Sequence, residues 1–227
     1  MGTFIDLVAA DGNFFKAYVA EPSGKPKGGV VVIQEIFGVN SHIQSVADGY
    51  AAEGYLAVAP ATFQRVQADV HLGYTPDDMK AGSALKAAVE ALPGPGVIQD
   101  LQAAVNHAAG AGKVGVVGYC YGGLLTWRAA CLLDNVAAAA PYYGGGMTSD
   151  AEIARRPKCP VLAHFADDDS YIPMDTVEAF KKAHPEVEVQ VYHGHHGFNC
   201  DQRGSYDETA AKLARERTLA FFAKHVG

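Results

Sequence analysis

The sequence lacks several features, and each shortage removes a class of function. No segment supplies the ~20 consecutive apolar residues of a membrane-spanning helix. Met1 is followed by Gly2-Thr3-Phe4-Ile5-Asp6, without the basic region and apolar run of a secretory leader, so a soluble, cytoplasmic protein with no membrane partner is expected. Basic residues are outnumbered: 18 Lys and Arg stand against 25 Asp and Glu, a formal charge of −7. That balance offers no clustered basic face, and no nucleic-acid partner is expected. The four cysteines, Cys120, Cys131, Cys159 and Cys200, show no C-x-x-C spacing, which argues against a structural zinc site or a thioredoxin-like redox pair. A disulfide framework is unexpected in a chain of 227 residues, and free thiols fit a reducing compartment. Cys131 and Cys159 read as small buried hydrophobes. With no phosphate-cradling loop, nucleotide motif or metal cluster, a reaction without cofactor is expected.

Hydrophobic residues make up 49% of the chain, enough for one large core, and residues 1–227 are read as a single domain. Runs Phe4–Ala9 and Phe14–Ala20 flank the turn signal Asp11-Gly12 and predict an N-terminal antiparallel hairpin. Strands are then expected at Val30–Ile33, Tyr55–Ala59 before Pro60, Val114–Val117, Val136–Ala140 before Pro141, after Pro160 to Phe165, and at Val187–Tyr192. Helices are expected through about Glu53 with Ser41 as the cap, Met79–Leu92 after a start at Thr75-Pro76, Val97–Ala109, Leu124–Leu133, Pro173–Ala183 and Tyr206–His225. Strands alternating with helices imply an α/β fold, its central sheet mostly parallel with right-handed crossovers.

In such sheets ligands bind beyond the carboxyl ends of the strands. Four groups of reactive residues fall at predicted strand ends: Glu35, Cys120, Asp167 to Asp169, and the histidines from His193 to His196. Cys120 sits in Gly118-Tyr119-Cys120-Tyr121-Gly122-Gly123 between a strand and a helix, the setting of a nucleophile elbow with cysteine in place of serine. The order nucleophile, acid, histidine also matches α/β-hydrolases. A thiol must ionise to attack, an imidazole can take its proton, and a carboxylate fixes the imidazole's tautomer. A helix N-terminus would further favour the thiolate.

Four segments together resemble the dienelactone hydrolase (carboxymethylenebutenolidase) family of α/β-hydrolases: Gln34-Glu35-Ile36-Phe37-Gly38-Val39-Asn40, the cysteine elbow, Asp169-Ser170-Tyr171-Ile172-Pro173 and His196-Gly197-Phe198. The resemblance runs from the first hairpin to the last helix. It implies the α/β-hydrolase fold, helices on both faces of the sheet, and opening of an enol-lactone or related activated ester through a thioester at Cys120. It implies His196 as base and then acid, Asp169 as its orienting partner, and backbone N–H groups of Tyr121 and Ile36 as the oxyanion hole. Glu35 is implied as a switch that lets the thiolate form when substrate arrives; a carboxylate beside a thiol opposes its ionisation.

The family resemblance also leads one to expect two arginines for a substrate carboxylate. There is no arginine between Pro76 and Val97, where Lys80 and Lys86 stand instead, and Arg203 is the nearest arginine after His196. Lysine is a point charge rather than a bidentate fork, so an esterase or thioesterase with a different substrate is an alternative. Lys80 and Arg203, with Phe37 and Tyr142, are the candidate substrate contacts; Arg65 is a further basic candidate. Trp127 reads as core. Cys200 is either a second reactive thiol or a buried hydrophobe. A cysteine amidase would leave the Asp169–Pro173 block and late histidine unexplained, and a non-catalytic redox-sensing protein would not need all four site residues. A monomer acting on a small lactone or ester is expected.

Overall fold

The computed structural model describes residues 1–227. Eight strands form one sheet: β1 (Thr3–Val8), β2 (Phe14–Ala20), β3 (Gly29–Ile33), β4 (Leu56–Pro60), β5 (Val114–Tyr119), β6 (Val136–Tyr142), β7 (Leu162–Ala166) and β8 (Glu188–Tyr192). Their order across the sheet is β1-β2-β4-β3-β5-β6-β7-β8. The hairpin β1–β2 is antiparallel, β2 joins β4 antiparallel, and all further pairs are parallel. Seven helices accompany them: α1 (Ser41–Ala52), α2 (Pro76–Glu90), α3 (Val97–Ala108), α4 (Tyr121–Leu132), α5 (Asp150–Ile153), α6 (Met174–Ala183) and α7 (Glu208–His225). This is the α/β-hydrolase arrangement.

Burial explains the sequence pattern. β3, β5 and β7 are buried at every residue, as strands covered on both faces must be, and their runs are nearly all apolar. β1 and β8 lie at the edges and keep exposed positions, β1 alternating with half-buried ones from Phe4 onward. Trp127 of α4 is fully buried, edge-on to Phe180 of α6, its indole N–H donating to the Glu152 carbonyl. No helix is long and apolar enough to cross a membrane.

Two boundaries differ from the sequence reading for physical reasons. β6 runs through Pro141 to Tyr142 instead of ending before the proline. The Tyr142 carbonyl accepts from the Cys120 N–H on the β5 side, so by alternation Pro141 turns its missing donor toward β7. There the ladder is thin, limited to Tyr142 opposite His164 and a separate bridge from Ala139 to Val161. Helix α1 is capped by Asn40, whose side chain accepts from the Ile43 N–H, rather than by Ser41. The short α5 has no counterpart in the sequence reading.

His164 in β7 is fully buried, hydrogen-bonded through Nδ1 to the Tyr192 hydroxyl at 2.8 Å and through Nε2 to the Thr218 hydroxyl at 2.9 Å. Burial, helped by the charge of Arg217, pulls its pKa down to about 3. The imidazole is therefore neutral in the folded protein over a range where the unfolded chain takes up a proton. Stability consequently falls as pH drops below about 6.5 toward 4, because the unfolded state binds more protons. Denaturant unfolding at several pH values should show this slope, and His164→Asn should reduce it by up to about one proton; an unchanged slope would mean that His164 is protonated in the fold.

Candidate active site

The chain reverses at Cys120, which has φ 56° and ψ −115° and joins β5 to α4 without an intervening loop. Holding a non-glycine residue at positive φ costs of order 1–3 kcal/mol, and the surrounding structure must impose it. The helix begins at Tyr121, three residues earlier than the sequence pattern suggests, because Gly122 and Gly123 belong to its first turn. A side chain on Gly122 would strike the carbonyls of Ile33 and Gln34 at the end of β3. Close passage of α4 against the sheet is what these glycines permit. The Tyr121 N–H, at the first helical position, has no partner within the helix, and the helix N-terminus favours negative charge on the Cys120 sulfur.

The candidate acid and base come from the loops after the two parallel strands at the far edge. Asp167, Asp168 and Asp169 follow β7, His193, His195 and His196 follow β8, and they pair in register. Nδ1 of His193 lies 3.1 Å from Asp167, Nδ1 of His195 3.1 Å from Asp168, and Nδ1 of His196 2.8 Å from Asp169 Oδ2. Only the third couple is buried, with side chains 8% and 0% exposed. The Tyr171 N–H donates to Asp169 Oδ1 at 2.8 Å, so both carboxylate oxygens are held. An ionised Asp169 can only accept, which places the proton on Nδ1 and turns Nε2 of His196 to its other partner, Cys120. Burial alone would lower the His196 pKa, but the charges of Cys120 and Asp169, and its hydrogen bonds to both, outweigh it and hold it up at about 10. The surroundings therefore favour the imidazolium. The rings of Tyr143 and Tyr171 flank His196 edge-on, with centroids 5.2 and 4.9 Å away.

Glu35 leaves β3 and is 1% exposed. Its Oε1 accepts from Arg203 Nη1 at 3.2 Å, while Oε2 is buried without a hydrogen-bond partner. Arg203 lies with its guanidinium carbon 5.7 Å above the Phe37 ring. Cys120, His196 and Arg203 open into one cavity of about 130 Å³ together with Ile36, Phe37 and Tyr171. Larger hollows occur elsewhere, but this one holds the elbow and the buried acid–base couple.

Helix α2 closes the cavity with Met79, Ser83 and Lys86. Positions 79, 83 and 86 share one helical face, and Gly82 lets that helix approach: a side chain there would strike the Ile36 carbonyl. Two expected substrate contacts are corrected by this geometry. Lys80, about 100° around the helix from Met79, is exposed, and Lys86 takes the position in the cavity. Tyr142 is 1% exposed with its hydroxyl 2.7 Å from that of Thr218, below the site rather than in it. Arg65 is likewise committed elsewhere, to Asp11 and Asp100. The helical period 79-83-86 was the sequence signal that could have selected Lys86.

Comparison with known proteins identifies the family of the chain. The sequence model of the dienelactone hydrolase family matches residues 15–226. The chain belongs to that family. It is 37% identical over 224 residues to a Synechocystis protein named provisionally as a carboxymethylenebutenolidase, covering 90% of this chain and 89% of the relative. It is 31% identical over 227 residues to the carboxymethylenebutenolidase of Pseudomonas putida, covering 96% and 95%. A crystal structure from Klebsiella pneumoniae, assigned provisionally to the dienelactone hydrolases, superposes with a TM-score of 0.84 at 31% identity over 99% of both chains. The dienelactone hydrolase family fixes the general activity as that of a hydrolase.

The four thiols of this dienelactone hydrolase family member differ in setting. Burial raises Cys131 to about 12 and Cys159 and Cys200 to about 11, Glu35 adding to the effect at Cys200. Cys120 is half-buried, at a helix N-terminus and beside His196. Iodoacetamide at one equivalent should label Cys120 before the other three, as read by peptide mass mapping; faster labelling of Cys159, which is also half-buried, would contradict this reading.

Proposed function

We propose that the protein opens an enol-lactone or similarly activated ester through a thioester at Cys120. The observation that carries this reading is the buried Asp169–His196 couple, hydrogen-bonded at 2.8 Å and facing the thiol at the elbow within one cavity. Cys120 Sγ attacks the lactone carbonyl carbon, and the oxyanion that forms is received by the N–H groups of Tyr121 and Ile36, each such donor being worth ~3 kcal/mol. Collapse breaks the ring C–O bond, leaving an enolate that needs little help to depart and takes the proton that His196 drew from the thiol, so that the imidazole is neutral again. This is why a thiol suffices where an alkoxide leaving group would demand more. Water then attacks the thioester, His196 removes its proton, and the departing sulfur is released as the carboxylic acid forms.

Glu35 and Arg203 supply the gate. Arg203 holds the Glu35 carboxyl group in the site through a 3.2 Å contact to Oε1. A substrate carboxylate competes for Arg203, and Lys86 adds a second positive charge to the lining of the cavity. Release of Glu35 from Arg203 changes the charge beside Cys120 at the moment a substrate is present. Cofactors have no part in this sequence of steps.

Two experiments test the reading. Cys120→Ala should abolish turnover of an enol-lactone and of activated esters, while the parent with a slow ester should accumulate an acyl mass on Cys120; full turnover by the variant would end the proposal. Lys86→Ala should raise KM for a carboxylate-bearing lactone about tenfold or more and leave its methyl ester little affected, with Lys80→Ala changing neither, since only a neighbouring charge within the cavity is felt strongly. Equal effects on acid and ester would remove Lys86 from substrate recognition.

A further inference from the structure

Behind the active-site cavity, on the far side of Glu35, three buried side chains meet that catalysis does not use together. Glu35, His42 of the first turn of α1, and Cys200 each offer an atom able to bind a metal, and these atoms lie within 4.8 Å of one another. All three residues are at least nine-tenths buried, at 1%, 4% and 0% exposure. Two of the polar atoms, Glu35 Oε2 and His42 Nε2, have no hydrogen-bond partner. Nδ1 of His42 lies 3.0 Å from Asp201 Oδ1. With Asp201 ionised, that bond places the proton on Nδ1 and leaves Nε2 as a bare lone pair. A carboxylate oxygen and an imidazole lone pair are thus buried close to a thiol, neither with a hydrogen-bond partner in the protein. Such neighbours are costly unless a cation or a water joins them.

We infer that Glu35, His42 and Cys200 form a binding site for a thiophilic divalent cation of the Zn²⁺ class. Carboxylate, imidazole and thiolate are the ligand types this ion takes, and a tetrahedral site with such bonds spaces its ligand atoms about 3.3–3.6 Å apart. A closure of roughly 1 Å from the observed upper bound brings the three atoms there. Asp201 supplies the carboxylate that orients the ligating histidine. The route in from solvent is the cleft between α1 and α7, about 380 Å³, bordered by His42 and by Asn199 and Asp201 on either side of Cys200. On binding, the Cys200 S–H bond breaks, a sulfur–metal bond forms and the proton passes to solvent. No electron is transferred. Oε1 of Glu35 remains on Arg203 while Oε2 is taken by the metal, so Glu35 is held away from Cys120. Inhibition by the ion follows if Glu35 gates the thiol, and this second part rests on the function proposed above.

The test uses Co²⁺ as a spectroscopic probe and Zn²⁺ as competitor, in a Cys120→Ala background so that the catalytic thiol cannot supply a ligand. A thiolate-to-Co²⁺ charge-transfer band at one equivalent per chain is expected, bleached by Zn²⁺. The band should be lost in Cys120→Ala/Cys200→Ala, and His42→Gln should weaken binding more than about tenfold, with Asp201→Asn weakening it about tenfold. Circular dichroism of each variant confirms folding, and His42→Gln serves if the Cys200 variant fails to fold. Absence of the band, or a band undiminished by the loss of Cys200 or His42, overturns the site and leaves a water as the bridge. With Cys120 intact, Zn²⁺ should inhibit turnover, and His42→Gln should retain basal activity while losing that inhibition. Co²⁺ binding without inhibition supports the site and counts against gating by Glu35.

Discussion

Everything in the site depends on how closely α4 passes the carboxyl end of the sheet. The helix starts directly after Cys120, so the sulfur stands at the head of a twelve-residue helix with the ends of β3 and β6 immediately beside it. A wider turn would need no positive φ and no glycines, but it would carry the thiol away from Glu35, Ile36 and His196 at once. The backbone strain at one residue is therefore tied to the placement of three others. The energy of holding that turn is drawn from β5 and its apolar neighbour β3, which are buried throughout.

Electrostatics then divides the labour among carboxylates of similar type. Asp169 has both oxygens satisfied, one by His196 and one by the Tyr171 N–H. Glu35 has one oxygen on Arg203 and one without a partner. The first can do little except stay in place, which suits a group that fixes a tautomer. The second retains unused binding capacity in a buried setting, which suits a group that changes partners. Asp167 and Asp168 make similar contacts to histidines, but in water those contacts are weak and carry no chemistry.

Most of the scaffold was legible in the sequence because strands and helices here obey their periods. The hairpin, the buried parallel strands and the helices following them are where the apolar patterns put them, and the four catalytic candidates do gather at the strand ends. The errors share one cause: local signals were read without knowing what lay opposite. Gly122 and Gly123 read as loop because close helix-to-sheet contact is a tertiary property. Pro141 read as a stop because its missing donor faces a gap in the ladder that no sequence displays. Lys80 was preferred over Lys86 although the residues lining the cavity follow a helical period, since which face of α2 meets the cavity is set by Gly82 against Ile36. The cluster of Glu35, His42 and Cys200 brings together residues far apart in the chain, and no motif spacing could have announced it.

The pairing of β7 with β8 carries a consequence for how the enzyme fails. Asp169 and His196 are each a few residues beyond strands held in register from Leu162 opposite Glu188 to Ala166 opposite Tyr192, and β8 is the outermost strand, hydrogen-bonded on one side only. Slippage by one residue would offer Asp169 the neighbouring histidine, whose side chain points the opposite way. Asp169 and His196 are thus aligned by an edge ladder, while Cys120 is anchored at the centre of the sheet. Fraying of that border would silence the enzyme while leaving the rest of its sheet intact, so the margin of activity is set by one edge ladder rather than by the stability of the whole.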